Sequence, residues 1–199
     1  MLERRFMDLR KLSFYQKQKL KQIKSKDIFL AYRDLRRALT EKYGMEQTKT
    51  IHEIYAKEIL KRHYKLGVET SVWIGPRNID LFIPSMRLYH GAVRFNGLAI
   101  EIDGGIHNEE HKMKKDQAKF EYLNFLKISS VRFNNEDIPN GKFENFIIGL
   151  KNHYYPDTRT RQRLMRKIHI ETILYHQDLI ISKNITLCKA LLPIFERSK

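Results

Sequence analysis

Cysteine is almost absent, with Cys188 the only one in 199 residues. One cysteine allows no intrachain disulfide framework and excludes a cysteine-built zinc site within the chain. Long hydrophobic runs are missing too, and none approaches the roughly 18 apolar residues that a membrane span needs. The opening segment MLERRFMDLRKLSF is basic and lacks the apolar stretch of a signal peptide. No internal repeat or low-complexity tract is visible. These absences lead to the expectation of a reducing, cytoplasmic setting with no membrane partner.

What the chain does have is apolar side chains and positive charge. Hydrophobic residues make up 42% and aromatic residues 11%, enough for a folded core. Lys and Arg number 38 against 23 Asp and Glu, a net of +15. The excess is uneven. Residues 1–42 hold 13 basic and 5 acidic side chains, residues 43–155 hold 16 and 14, and residues 156–199 hold 9 and 4. Basic ends around an acid-containing centre suit a polyanion, because phosphate neutralisation supplies sequence-independent affinity. Lys19 and Lys21 near one end are candidate phosphate contacts. So are Arg159, Arg161 and Arg163 near the other, where Tyr154 and Tyr155 add stacking surface. A solvated charged helix face is the plainer alternative for both. His169 and His176, seven apart on one expected helix, read as packing residues.

Hydrophobic periodicity divides the chain into helical ends and a mixed centre. SFYQKQKLKQIK and SKDIFLAYRDLRRALTEKYG predict two helices, the second carrying an apolar stripe through Ile28, Leu30, Ala31, Leu35 and Leu39. Thr50-Ile-His-Glu53 has capping-box spacing and predicts a third helix to about residue 65. The period then changes to that of strands in SVWI, NIDLFIP, LYHGAVRF and LAIEID, with Asn96-Gly97 as a hairpin-turn signal between two of them. EEHKMKKDQAKFEYLNFLK predicts a helix, SSVRF a strand, and the segment to Tyr155 a loop and helix; beyond Pro156 the pattern is helical again. The expected fold is α/β: a central mixed sheet flanked by helices over residues 48–155, with basic helical extensions over 1–47 and 156–199.

Three carboxylates in the strand region stand out. Asp80 lies in NIDLF, and Glu101 and Asp103 lie in LAIEIDGG. Residues two apart share one face of a strand, so Glu101 and Asp103 project together, away from Ile100 and Ile102. Carboxylates crowded on an apolar strand need a cation or protons to relieve their repulsion. Hard oxygen donors suit Mg²⁺ or Mn²⁺. A strand-end surface aspartate and an ordinary Asp-Gly turn would account for the same letters without chemistry.

The wider pattern is more specific. Asp80, then Glu101-Ile-Asp103-Gly-Gly-Ile-His107, then Asp116 and Lys119, then SSVRFNNEDI, resembles the very-short-patch-repair-like branch of the PD-(D/E)xK nuclease superfamily. It is most similar to an uncharacterised bacterial family of that branch with the motif D…ExDG..H…D. The resemblance covers residues 48–150, including GPRNID and the helix that begins at Thr50, and leaves out both ends. It implies a restriction-endonuclease-like core and a Mg²⁺-dependent endonuclease that hydrolyses phosphodiester bonds, with DNA favoured over RNA as substrate. The setting implied is restriction, repair nicking or mobile-element processing. Asp80 and Glu101 are then the metal-binding acids, with the carbonyl of Ile102 as a further ligand. His107 would act on the attacking water or the leaving group, and Glu53 would complete the metal site, though a simple capping role fits Glu53 as well. Asp103 stands where many members carry a lysine. His107 or a lysine of KMKK (Lys112, Lys114, Lys115) is the candidate replacement, and Lys112 and Lys115 are also candidate phosphate contacts. LYHGAVRFNG lengthens the spacing from Asp80 to Glu101 and reads as an inserted hairpin.

Two other readings remain open. A nucleic-acid-binding module could keep the fold without catalysis. His107-Asn-Glu-Glu110-His111 also matches the HxxEH zinc-peptidase motif. A double-strand cut would favour a homodimer or a partner protein.

Overall fold

The computed structural model describes residues 12–43, 50–64, 67–103, 110–189 and 191–192; the side chains of residues 110–116, 187 and 188 lie outside that description. The elements run in the order α1 (Phe14–Gln22), α2 (Ser25–Tyr43), α3 (Ile51–His63), β1 (Glu69–Ile74), β2 (Arg77–His90), β3 (Val93–Asp103), α4 (Glu110–Phe125), β4 (Ser129–Asn134), α5 (Lys142–Gly149), α6 (Thr158–Tyr175), α7 (Gln177–Ser182) and α8 (Thr186–Lys189). The fold is α/β, with a four-stranded mixed sheet flanked by helices, as the periodicity predicts. The strand order is β1-β2-β3-β4, with β2 and β3 antiparallel and β3 and β4 parallel. A parallel pair needs a long crossover, and α4 supplies it.

The chain divides into two compact units. One comprises residues 48–72 and 77–164, and the other residues 1–47, 73–76 and 165–199. The sheet unit has its core where Ala56, Ile59 and Leu60 of α3 and Phe143 and Ile147 of α5 meet Leu81, Ile83, Leu98, Ile100 and Ile102. These are the alternate, inward positions of β2 and β3. Thr50 caps α3, its hydroxyl accepting the Glu53 N–H at 3.2 Å.

The second unit joins what the sequence suggests are separate extensions. Ile28, Ala31, Leu35 and Leu39 of α2 share one core with Ile170, Ile173 and Leu174 of α6, Leu179 and Ile180 of α7, and Trp73. Neither stripe could bury itself alone, so the two basic ends form one body. Trp73 exchanges hydrogen bonds with the Tyr32 hydroxyl, whose O–H donates to the Trp73 carbonyl at 3.1 Å and which accepts the Trp73 N–H at 3.0 Å. The first turns of α6, to Leu164, belong instead to the sheet unit, where Arg161 pairs with Glu69.

The hairpin turn differs from the sequence expectation. Asn96-Gly97 lies inside β3, and the turn between β2 and β3 is Gly91-Ala92. LYHGAVRFNG forms the outer end of one long β2–β3 hairpin that pairs from Leu81↔Ile100 to His90↔Val93. The register slips between Ile83 and Arg87, so β2 carries a bulge at Pro84, where a residue without an N–H leaves the ladder. Ser85 there accepts the Tyr155 N–H at 2.8 Å. Gly97 sits across from the bulge at φ +89, and a Cβ on it would stand 2.7 Å from the Phe82 ring. Its signal is real, but it marks a close approach rather than a turn.

Candidate functional site

The acids gather where β2 and β3 cease to pair. Their ladder ends at Leu81↔Ile100, and one further step of that register sets Asp80 across from Glu101. Beyond the ladder, the Ile102 N–H donates to Asp80 Oδ2 at 2.9 Å in place of a backbone carbonyl. Because Ile100 and Ile102 point into the core, Glu101 and Asp103 face the other side, which α4 covers. In the parallel ladder Glu101 pairs with Arg132 of β4.

Two cations meet these carboxylates. Lys119 of α4 forms an ion pair with Glu101 Oε2, and both side chains are mostly buried. Arg132 Nε lies 3.2 Å from Asp103 Oδ2. The second Glu101 oxygen, Oε1, is buried and has no hydrogen-bond partner among the described residues. Burial pushes the Glu101 carboxyl up to about 7; Lys119 pulls it down and the negative charge of Asp80 raises it. Burial also raises Asp80, opposed by the hydrogen bond from Ile102. The pair thus sits in a low-dielectric position that a cation would relieve. A cavity of about 400 Å³ opens beside it, lined by Glu101, Lys119, Phe120, Leu123 and Arg132 among others.

Lys119 is part of the sequence pattern but was given no role there, and the structure sets it against Glu101. It belongs to the run Lys119, Tyr122, Leu123, Leu126, the spacing of a core-facing helical stripe, and the other three are buried. A lysine on an apolar stripe was the available signal. Arg132 carried none, since a single arginine in SSVRF looks like any outward strand residue. SSVRFNNEDI itself builds a cap: Asp137 accepts the Asn134 N–H at 3.0 Å and Lys142 Nζ at 3.0 Å.

Glu53 meets the Thr50 hydroxyl at 3.2 Å at the start of α3, a helix whose buried residues pack against the opposite, Ile100-bearing face. His107 lies outside the described residues, as do the side chains of His111, Lys112, Lys114, Lys115 and Asp116. Among the described residues no three His, Cys, Asp or Glu side chains come together as a metal cluster. Lys21, Arg159 and Arg163 are exposed, and Lys19 Nζ stands 4.7 Å over the Tyr15 ring. Arg87 rather than Arg161 is the cation beside Tyr155, at 4.7 Å from its centroid. His169 and His176 are buried, His169 stacked on Tyr32 at 3.9 Å, as packing residues would be. No helix among the described residues is long and apolar enough to cross a membrane.

Compared with models of known protein families, with curated proteins and with solved structures, the chain matches none of them.

Proposed function

We propose that this chain is a metal-dependent endonuclease of the PD-(D/E)xK kind with a restriction-endonuclease-like core. Asp80 and Glu101 would hold Mg²⁺ or Mn²⁺, and DNA is favoured as substrate. The observation that carries the reading is Glu101. Its carboxylate is buried beside a second carboxylate on the neighbouring strand, and one of its oxygens lacks a partner among the described residues. Two carboxylate oxygens and a main-chain carbonyl are a donor set that fits a hard divalent cation. Such a cation, when bound, polarises a phosphate and acidifies a water molecule.

The side chains supply the rest. Lys119, held against Glu101, occupies the role left open where Asp103 replaces the motif lysine. Its ammonium is placed to steady negative charge growing on a phosphate oxygen or to orient the attacking water. Arg132 pairs with Asp103 beside it. The exposed Arg159 and Arg163 are suited to phosphate contact.

One observation favours a second reading, a nucleic-acid-binding module without catalysis. Lys119 and Arg132 already balance Glu101 and Asp103 without a metal. Plasmid cleavage in Mg²⁺, Mn²⁺ or EDTA separates the two. The nuclease cuts only with metal, and Asp80→Ala and Glu101→Ala abolish cutting. Lys119→Met lowers the rate by about a hundredfold or more while DNA is still bound. Binding without cutting in every metal establishes the module instead. The HxxEH peptidase would show zinc-dependent proteolysis that His111→Ala removes.

A further inference from the structure

A second cavity of about 400 Å³ lies on the same face of the sheet, farther along β3 toward the hairpin turn. Phe120 and Ser130 line both cavities, so the two adjoin. From Glu101 to Phe95 is six residues along β3, at most about 20 Å at a strand's rise.

Its walls combine aromatic planes with polar groups. Phe95 is buried and meets the His90 imidazole edge-on at 4.8 Å. Phe120 is 51% exposed, a phenyl ring held in solvent at the junction of the two cavities. Around these rings stand the Asn124 amide, the Ser129 hydroxyl 3.4 Å from His90 Nε2, and Lys127, whose ammonium lies 5.7 Å over the Phe95 ring. Aromatic surface for a π-face, an amide and hydroxyl for a polar edge, and a cation at the rim match an unpaired nucleotide. A paired base could not enter, because its polar edge is occupied and its faces are stacked.

We infer that this His90–Phe95–Phe120 cavity is a subsite for one unpaired nucleobase of the bound strand. Asn124 and Ser129 would read the base edge, Lys127 would hold its phosphate, and the strand would pass Phe120 toward Glu101. The inference rests on the nuclease reading and gives the enzyme a preference for strands with a looped-out or unstacked base.

The test uses the full chain and two oligonucleotide duplexes of one sequence, fully paired and with one unpaired 2-aminopurine. Binding and cutting are measured for wild type, Phe120→Ala and Asn124→Ala; both replaced side chains are exposed. Wild type should prefer the unpaired duplex and change 2-aminopurine fluorescence on binding. Phe120→Ala should lose roughly tenfold or more of that preference, about what stacking on one ring supports. Asn124→Ala should weaken the preference among different unpaired bases. Equal treatment of both duplexes by wild type, or equal loss on both by Phe120→Ala, overturns the subsite and leaves the nuclease reading standing. Neither binding nor cutting of any nucleic acid overturns both.

Discussion

At the scale of single residues, two buried titratable groups oppose each other in their response to pH. Glu101 holds its proton to about 7 in the fold, against 4.5 in the unfolded chain. Its contribution to stability is therefore complete below 4.5 and is lost as pH rises through 7. The difference amounts to a penalty on the order of 3 kcal/mol above neutrality. In EDTA, urea denaturation at pH 5 and pH 8 should show that loss in the wild type and much less of it in Glu101→Gln; equal pH dependence in the two would refute the assignment. His169 behaves in the reverse sense. Burial lowers it from 6.5 to about 4, so its contribution is present above 6.5 and is lost as pH falls toward 4. His169→Phe keeps a ring for Tyr32 to stack on and should flatten the acid side of the stability curve. The check is a comparison of melting temperatures at pH 4.5 and 7.

At the scale of elements, the long β2–β3 hairpin organises the face on which the acids sit. Its two positive-φ glycines differ in what surrounds them. A Cβ added to Gly91, in the turn at φ +59, would meet no described atom within 4 Å, while one added to Gly97, at φ +89, would run into the Phe82 ring. Gly91→Ala should cost about 1 kcal/mol from backbone conformation alone. Gly97→Ala adds overpacking against buried Phe82 and should cost about 2–4 kcal/mol. Denaturant midpoints of the two variants test this, and equal values would mean that the Phe82 contact does not constrain the strand. The hairpin was legible as strands, but its turn was not. Asn-Gly is a strong local signal, and only the bulge at Pro84 and the ring of Phe82 explain why Gly97 is spent inside a strand. The helices were easier to read, because an apolar stripe such as Ile28, Ala31, Leu35, Leu39 repeats with the helical period whatever it packs against.

For the molecule as a whole, the net charge of +15 sets the scale of any interaction with a polyanion. On the proposed function, binding to duplex DNA should weaken steeply with salt. Replacing both Arg159 and Arg163 with glutamine should lower the slope of log K against log salt by about two, roughly 0.9 for each lost phosphate contact. Arg161, engaged with Glu69, is the contrasting case: Arg161→Gln should reduce stability and leave the slope nearly unchanged. Fluorescence anisotropy titrations between low and moderate salt decide this. An unaltered slope in the Arg159/Arg163 variant would remove this stretch from the binding surface.

Local pattern was sufficient for the class of fold, the order of its helices and strands, and the pairing of Glu101 with Asp103 on one face. Each depends on the period of the backbone and on nothing remote. The site's electrostatics depended on remote partners. Asp80 meets Glu101 through strand register, Lys119 arrives from a helix 18 positions later, and Arg132 comes from a parallel strand. The union of the two basic ends into one helical body is of the same kind, since an apolar stripe declares that it must be covered and leaves open by what. Periodicity is a property of a segment, whereas burial, and with it the proton on Glu101, is a property of the packed neighbours.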